Sequence, residues 1–420
     1  MTRFCFALLA LGTAVLLSPT TRGVDSPDWP QFRGPTGDGH ATAKRIPMHW
    51  SSTSNVVWKV ADPGRGWSSP VLSRGRLYFT SAIPRAEAGQ LDLSAVCLDA
   101  ATGKTLWQQA VFSQGSDSPS IHRKNSHASP TPILDGDRIY VHFGHMGTAA
   151  LDLDGKVVWR SNQLKYVPQH GNGGTPILVG DRLIFSCDGA TDPFVAALKT
   201  SDGSVLWKVA RTPSIKLTFS FATAEVIEFQ GRKQIISPAA GLIASYDPAD
   251  GRELWRVRHE GWSVIPKPVF AHGLVFAGTG YETPTTLAIR PDGTGDVTDS
   301  HVAWTLRKGA PNTPSFLVLG DELYLLADSG VLSCLDARSG KVHYQERACG
   351  QSSASPVFAD GRIYLLDEQG VGVVLAPGKE FRKLAENRLG ERTLASYAVT
   401  DGTLFIRSEE NLYRIGEPAP

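Results

Sequence analysis

The sequence predicts an all-β fold: one eight-bladed β-propeller of four-stranded antiparallel blades, closed into a ring by an N-terminal strand. Three observations predict it. A short motif recurs eight times at a period of 42 to 62 residues, a glycine turn and an alternating strand follow each copy, and an aromatic residue closes most repeats.

The motif is a small residue, a proline and two apolar residues. It reads SPVL at Pro70, TPIL at Pro132, TPIL at Pro176, KPVF at Pro268, TPSF at Pro314 and SPVF at Pro356, with TAEV at Ala224 and SYAV at Ala398 as degenerate copies. Turns at Gly75, Gly136, Gly180, Gly231, Gly273, Gly320, Gly361 and Gly402 come next, and then runs such as RLYFTS, RIYVHF and ELYLLA that alternate with the period of a strand. A third run bends at an Asp-Gly, Thr-Gly or Ser-Gly pair, where glycine permits the positive φ of a tight hairpin, and continues into a fourth. Four strands in about 45 residues is the signature of a propeller blade, whose sheet buries both faces only when neighbours stack around it.

Trp107, Trp159, Trp207, Trp255 and Trp304 close successive repeats, and Tyr344 stands in the sixth. Their rings are expected between blades. One closing strand is left over: NVVWKV, around Trp58, precedes the first start, while the eighth repeat ends without one. Joining the two removes an open sheet edge, so the N-terminal strand is expected to complete blade eight.

The segments follow. Residues 1–23 read as a secretory signal, with Arg3 before the uncharged run Phe4 to Leu17 and small residues up to Gly23; Ser18-Pro19-Thr20 offers a second cleavage point. The run spans about 21 Å as a helix, short of a bilayer core of roughly 30 Å. No cysteine follows it to carry a lipid. Residues 24–55 form a leader, 56–416 the propeller and 417–420 a tail. The leader from Asp28 to Gly39, with Trp29, Phe32 and Arg33, is expected to pack as a flap on the propeller or to serve as a docking peptide, and losing residues 24–40 is expected to cost little stability.

The starts, the hairpin turns and the closing tryptophans resemble the pyrroloquinoline-quinone-like (PQQ-like) repeat proteins, which include the quinoprotein alcohol dehydrogenases and the outer-membrane assembly lipoprotein BamB. The opening DWPQFRGPTGDG, with IRPDGTGDVTDSHVAW and LGERTLAS, is similar to a group of secreted bacterial proteins with BamB-like propellers. The resemblance implies the fold over residues 56 to 416 and leaves the function open. Quinoprotein dehydrogenases hold their quinone against a vicinal disulfide, with calcium and a catalytic aspartate beside it. This chain has no Cys-Cys pair and lacks the length for their insertions. No cofactor is expected, PQQ included.

The residues carry little else that points to chemistry. A net charge of +1 with 20% charged residues argues against nucleic acid. Cys97, Cys187, Cys334 and Cys349 make no C-x-x-C pair; Cys97 and Cys334 share a repeat position and are expected as buried thiols, with the state of Cys334 and Cys349 otherwise open. Asp292, Asp296 and Asp299 lie close together without the spacing of a calcium loop, which leaves a solvated turn. His122, His127, His142, His145 and His170 surround the longest insertion, SQGSDSPSIHRKNSHASP, with no spacing that would make them converge on a metal. No nucleophile elbow, P-loop or dinucleotide fingerprint appears.

The expected function is therefore a noncatalytic exported propeller, periplasmic or extracellular, monomeric, that binds a protein or peptide in the cell envelope. The alternative is a small-molecule or quinone binder, in the limit a degenerate oxidoreductase. A protein or peptide partner is expected on the loop face or by strand addition at blade edges; a small molecule is expected at the funnel mouth, where the loops before the inner strands converge. The residues just before the eight starts are the candidates: Trp67, His127, His170, Asn172, Phe219, Trp262, Lys267, Asn312 and Gln351.

Overall fold

At each start the chain forms a short inner strand and then steps outward through three more. The computed structural model describes residues 28–115 and 118–416; the segment 1–23, read from the sequence as a secretory signal, and the tail 417–420 lie outside the described residues. Among the described residues there are eight sheets, each with four antiparallel strands and one, the fourth, with an added fifth; in all but the eighth the four antiparallel strands follow chain order from the axis outward. Blade 1, for example, runs Val71–Ser73, Arg76–Pro84, Leu91–Asp99 and Thr105–Gln114. The eighth runs Ala398–Thr400, Thr403–Arg407, Asn411–Gly416 and then Val56–Ala61, with Trp58 opposite Arg414 and Ala61 opposite Asn411. The N-terminal strand thus closes the ring.

The closing tryptophans join one blade to the next by a repeated contact. The indole Nε1 of Trp58, Trp107, Trp159, Trp207 and Trp304 donates to the carbonyl of Ala100, Leu153, Thr200, Pro248 and Ala337 respectively, each in the hairpin of the following blade. The ring lies on the turn glycine. At Gly155, with φ +86°, a Cβ would stand 2.7 Å from the Trp107 ring, so the turn needs glycine for its conformation and for the approach. Trp255 departs from the pattern: its Nε1 donates to Gln234 Oε1 within its own blade.

That departure has a local cause. Residues 290–301, where a tight hairpin was expected, fold back onto blade 4, and Gly295–Asp296 pairs in parallel with Glu253–Arg258 as a fifth strand. The carboxylates of Asp292, Asp296 and Asp299 are exposed, as a solvated turn requires, but the segment is more than a turn: Val297 is buried, and Asp296 accepts from Arg258 Nε at 2.6 Å. The register of the sixth start is corrected as well. The residue two before its inner strand Leu317–Leu319 is Ser315, not Thr313, so the motif there is SFLV rather than TPSF.

The leader is built into the molecule. Trp29 exchanges both backbone hydrogen bonds with Leu72 of blade 1, and the carbonyl of Pro30 accepts from Leu134 of blade 2. The chain then crosses the axis to blade 7, where Gly39 and Ala41 pair with Phe358, and reaches Gly402 of blade 8 through Lys44. Trp29 and Arg33 are each 1% exposed. The Arg33 guanidinium donates to the carbonyls of Phe316, Pro356 and Asp38, which places it on the axis among the inner strands. Burial pushes its pKa down to about 10, opposed by Asp38. Residues 28–40 therefore pack on the propeller, as the flap reading has it, and form a plug across one end of the central channel; the burial of Trp29 and Arg33 argues that losing them costs more than a loose flap would.

Among the described residues Cys97, Cys187, Cys334 and Cys349 are free thiols, the first three of them buried. Burial pushes the Cys97 thiol up to about 12, beyond reactivity at neutral pH. Among the described residues, no helix is long and apolar enough to cross a membrane.

Candidate functional site: an axial cup closed by the leader

Where the eight inner strands begin, their backbones meet around the axis, and each N–H there needs an acceptor. The chain supplies one by placing a hydroxyl two residues before the strand. The amide of Ser69 donates to Thr131 Oγ1, Thr131 to Thr175, Thr175 to Thr223, Lys267 to Ser315, Ser315 to Ser355, Ser355 to Ser396, and Ser396 back to Ser69, at 2.9 to 3.1 Å. Seven of the eight positions carry a hydroxyl. The eighth is Lys267, and the girdle is interrupted between blades 4 and 5.

Above the girdle the channel widens into a cup of about 580 Å3, lined by all seven hydroxyl residues. Phe32 of the leader also lines it, so the cup is open at the mouth and stopped below by the plug. One wall is aromatic. The rings of His122, His170, Phe219, Trp262 and Tyr281 follow one another at centroid separations of 6.0, 5.2, 5.3 and 4.9 Å, mostly edge to face. Each such contact contributes about 0.5–1.5 kcal/mol beyond burial, so the wall is preformed.

The other wall is polar. Asp328 accepts from the amides of Asn312 and Thr313 at 2.7 and 3.1 Å and from Thr313 Oγ1 at 2.6 Å. The insertion after blade 1 reaches across the mouth to this side: Lys124 pairs with Glu368 of blade 7 at 2.6 Å, and the Arg123 carbonyl accepts from Arg392, whose guanidinium lies 5.5 Å from the Trp67 ring centroid. Burial, with His170, Arg123 and Lys124 nearby, lowers the pKa of His122.

Of the nine residues singled out from the sequence, Trp67, His170, Phe219, Trp262 and Asn312 line the cup. His127 and Asn172 do not; they face a separate cavity of about 10 Å3 beside Gln114 and His145, because the insertion folds back over them. Gln351 lies on the rim and lines neither cavity, its carbonyl taken by the amide of Glu368. Lys267 is 4% exposed and turns away from the cup: its ammonium donates to the Gly37 carbonyl and to Glu225. Burial and the nearby Arg33 push its pKa down to about 7 against the pull of Asp38.

The five clustered histidines divide too. His122 and His170 meet at the cup, and His127 and His145 share the small cavity; His142 is buried inside blade 2, bonded through Nδ1 to Thr148 Oγ1, and burial pushes its pKa down to about 3. Tyr281, Asp328, Lys124 and Phe32 were missed as cup residues. Tyr281 and Asp328 sit in loops between second and third strands, and no periodicity identifies such loops as axial.

Lys267, the cation nearest the floor of the cup, faces the plug, and Asp328 has its oxygens engaged by Asn312 and Thr313.

Comparison with known proteins agrees with the architecture. The family model described as "Outer membrane protein assembly factor BamB" matches residues 48–221 and 239–403. No curated protein matches the sequence significantly. Among solved structures, BamB from Moraxella catarrhalis is similar at a TM-score of 0.59 and 12% identity, covering 87% of this chain and 98% of that one. The computationally designed Ika8 protein gives 0.59 and 11%, covering 84% and 98%. The quinohemoprotein alcohol dehydrogenase from Comamonas testosteroni gives 0.47 and 13%, covering 94% and 81%.

Proposed function

We propose, from the premise that the chain belongs to the outer membrane protein assembly factor BamB family, that it is a noncatalytic binding propeller of the bacterial cell envelope, exported by its N-terminal signal, which receives a segment of a partner protein in the axial cup. The observation that carries this reading is the cup itself, open at the mouth and stopped by the leader. A stopped channel serves a chain end or loop tip that enters from one side and gains affinity by burying an apolar side chain against aromatic rings. Tyr281, 52% exposed, and Trp262 stand where such a side chain would first be met.

The test is photocrosslinking in intact cells from benzoylphenylalanine placed at position 281. One discrete adduct is expected, reduced at least tenfold by Trp262→Ala and absent when the label is placed on the plug side at Gln31. A smear of adducts unaffected by Trp262→Ala would sink the reading.

A second reading, a small-molecule binder, is favoured by the cup's volume and its ring of hydroxyls, which suit a ligand of drug size. PQQ is not that ligand in our proposal. Titration with PQQ and calcium, followed by tryptophan fluorescence and a dye-reduction assay with short alcohols, should give neither saturation at micromolar quinone nor turnover; either result would displace the noncatalytic reading.

A further inference from the structure

The outer strand of a blade is an open edge, and blade 4 displays what covers such an edge in this protein. Its fifth strand pairs in parallel, Trp255 opposite Gly295 and Arg256 opposite Asp296, and the amide of Val297 donates to the Arg256 carbonyl at 2.9 Å. Val297 joins the buried cluster that contains Leu254, and Asp296 is held by Arg258. The occupant is short and extended, with a small, an acidic and a β-branched apolar residue in succession.

Blade 1 presents the same edge without a cover. Aligned on the closing tryptophan, Leu106 stands where Leu254 stands, and Gln108 where Arg256 does. Leu254 is 6% exposed and Leu106 is 44% exposed. Beside this edge runs an open groove of about 410 Å3, with Trp107, Gln108 and Gln109 on one side and Lys156, Val157 and Arg160 of blade 2 on the other. The difference lies in one connection: twelve residues (290–301) join the third and fourth strands of blade 5 and fold back into the corresponding place, whereas four (153–156) join them in blade 2 and leave the groove unfilled.

We infer that this groove is a strand-addition site that takes a short extended acidic segment of a partner protein, paired in parallel with the edge at Trp107 and Gln108. Strand addition draws affinity from the unpaired backbone groups of an edge and specificity from the side chains beside it. Here a β-branched residue covers Leu106. The acidic residue answers Lys156 and Arg160, neither of which makes an ion pair among the described residues; Arg160 is held beside the edge by the hydrogen bond its Nε donates to the Val111 carbonyl at 2.7 Å, and Asp154, on the same turn as Lys156, is already held by Arg76 at 3.0 Å. The site is separate from the cup and stands whether or not the cup reading does.

The probe is the fluorescein-labelled peptide Gly-Thr-Gly-Asp-Val-Thr-Asp, the chain's own segment 293–299, titrated into the whole mature protein by fluorescence anisotropy. Saturable binding is expected, weakened at least tenfold by Gln108→Pro, which removes an edge N–H, and unchanged by Tyr281→Ala in the cup. Leu106→Glu, at an exposed side chain, should weaken it likewise and serves if the proline variant does not fold. The inference is overturned by absence of saturation, or by affinity unchanged in both edge variants. It is also overturned by a dimer of the free protein that Leu106→Glu dissociates in sedimentation velocity, since the groove would then belong to a second copy.

Discussion

Replacing Asp62 by alanine should destabilise the propeller by about 3–5 kcal/mol and unlock the ring where its two ends meet. Asp62 follows the N-terminal strand, and its carboxylate accepts from Arg407 Nε and Nη2 at 2.9 and 2.5 Å; neither side chain is exposed. The second oxygen accepts from Ser81 and Gly64, and Arg407 also donates to Ser68. Every member of this network is satisfied. Removing the carboxylate leaves a guanidinium buried between blades 8 and 1 with only neutral partners. Hydrogen exchange is the discriminating readout: protection should fall first over 56–61 and 398–416, the strands of blade 8. Uniform loss of protection, or a urea midpoint unchanged from the wild type, would contradict the assignment.

Trp29→Ala should cost a comparable amount, about 3–5 kcal/mol, because a fully buried indole is replaced by a cavity. The ring is packed under Gly34, whose Cβ, if it had one, would lie 2.6 Å from it, so the neighbouring backbone has little room to collapse into the space. Trp29 is also in the cluster that holds Trp50 and Trp58, which ties the plug to the closing strand. The variant should therefore lower the unfolding midpoint and loosen the floor of the cup together, the latter seen as faster exchange at the Phe358 and Ala41 amides. Full retention of stability would mean that the leader is the removable flap its sequence suggested.

Much of this molecule is legible in the chain because a repeat samples the same physics eight times. A proline start, a glycine turn and a closing tryptophan each have a local cause, and one degenerate copy such as TAEV is identified by its neighbours. The unpaired strand around Trp58 could be placed for the same reason: an edge without a partner at one end of the chain and a missing strand at the other leave one economical closure. Five cup residues were found because they precede inner strands, and every inner strand begins at the same end of the channel.

What the sequence could not assign lies where the repeat is broken. DWPQFRGPTGDG occurs once, so nothing in it announced that Arg33 would reach the carbonyls of Phe316 and Pro356, 283 and 323 residues away. Lys267 occupies a start like any other, and only the interrupted girdle and the plug beside it turn its ammonium toward Glu225 instead of the cup. The segment 292–299 reads as a polar turn until the edge of blade 4 stands next to it. Periodic hydrophobicity and turn chemistry act over a few residues and determined the blades; the plug, the cup floor and the covered edge depend on which unpaired backbone groups the closed ring brings within hydrogen-bonding distance, and that was decided by the tertiary structure alone.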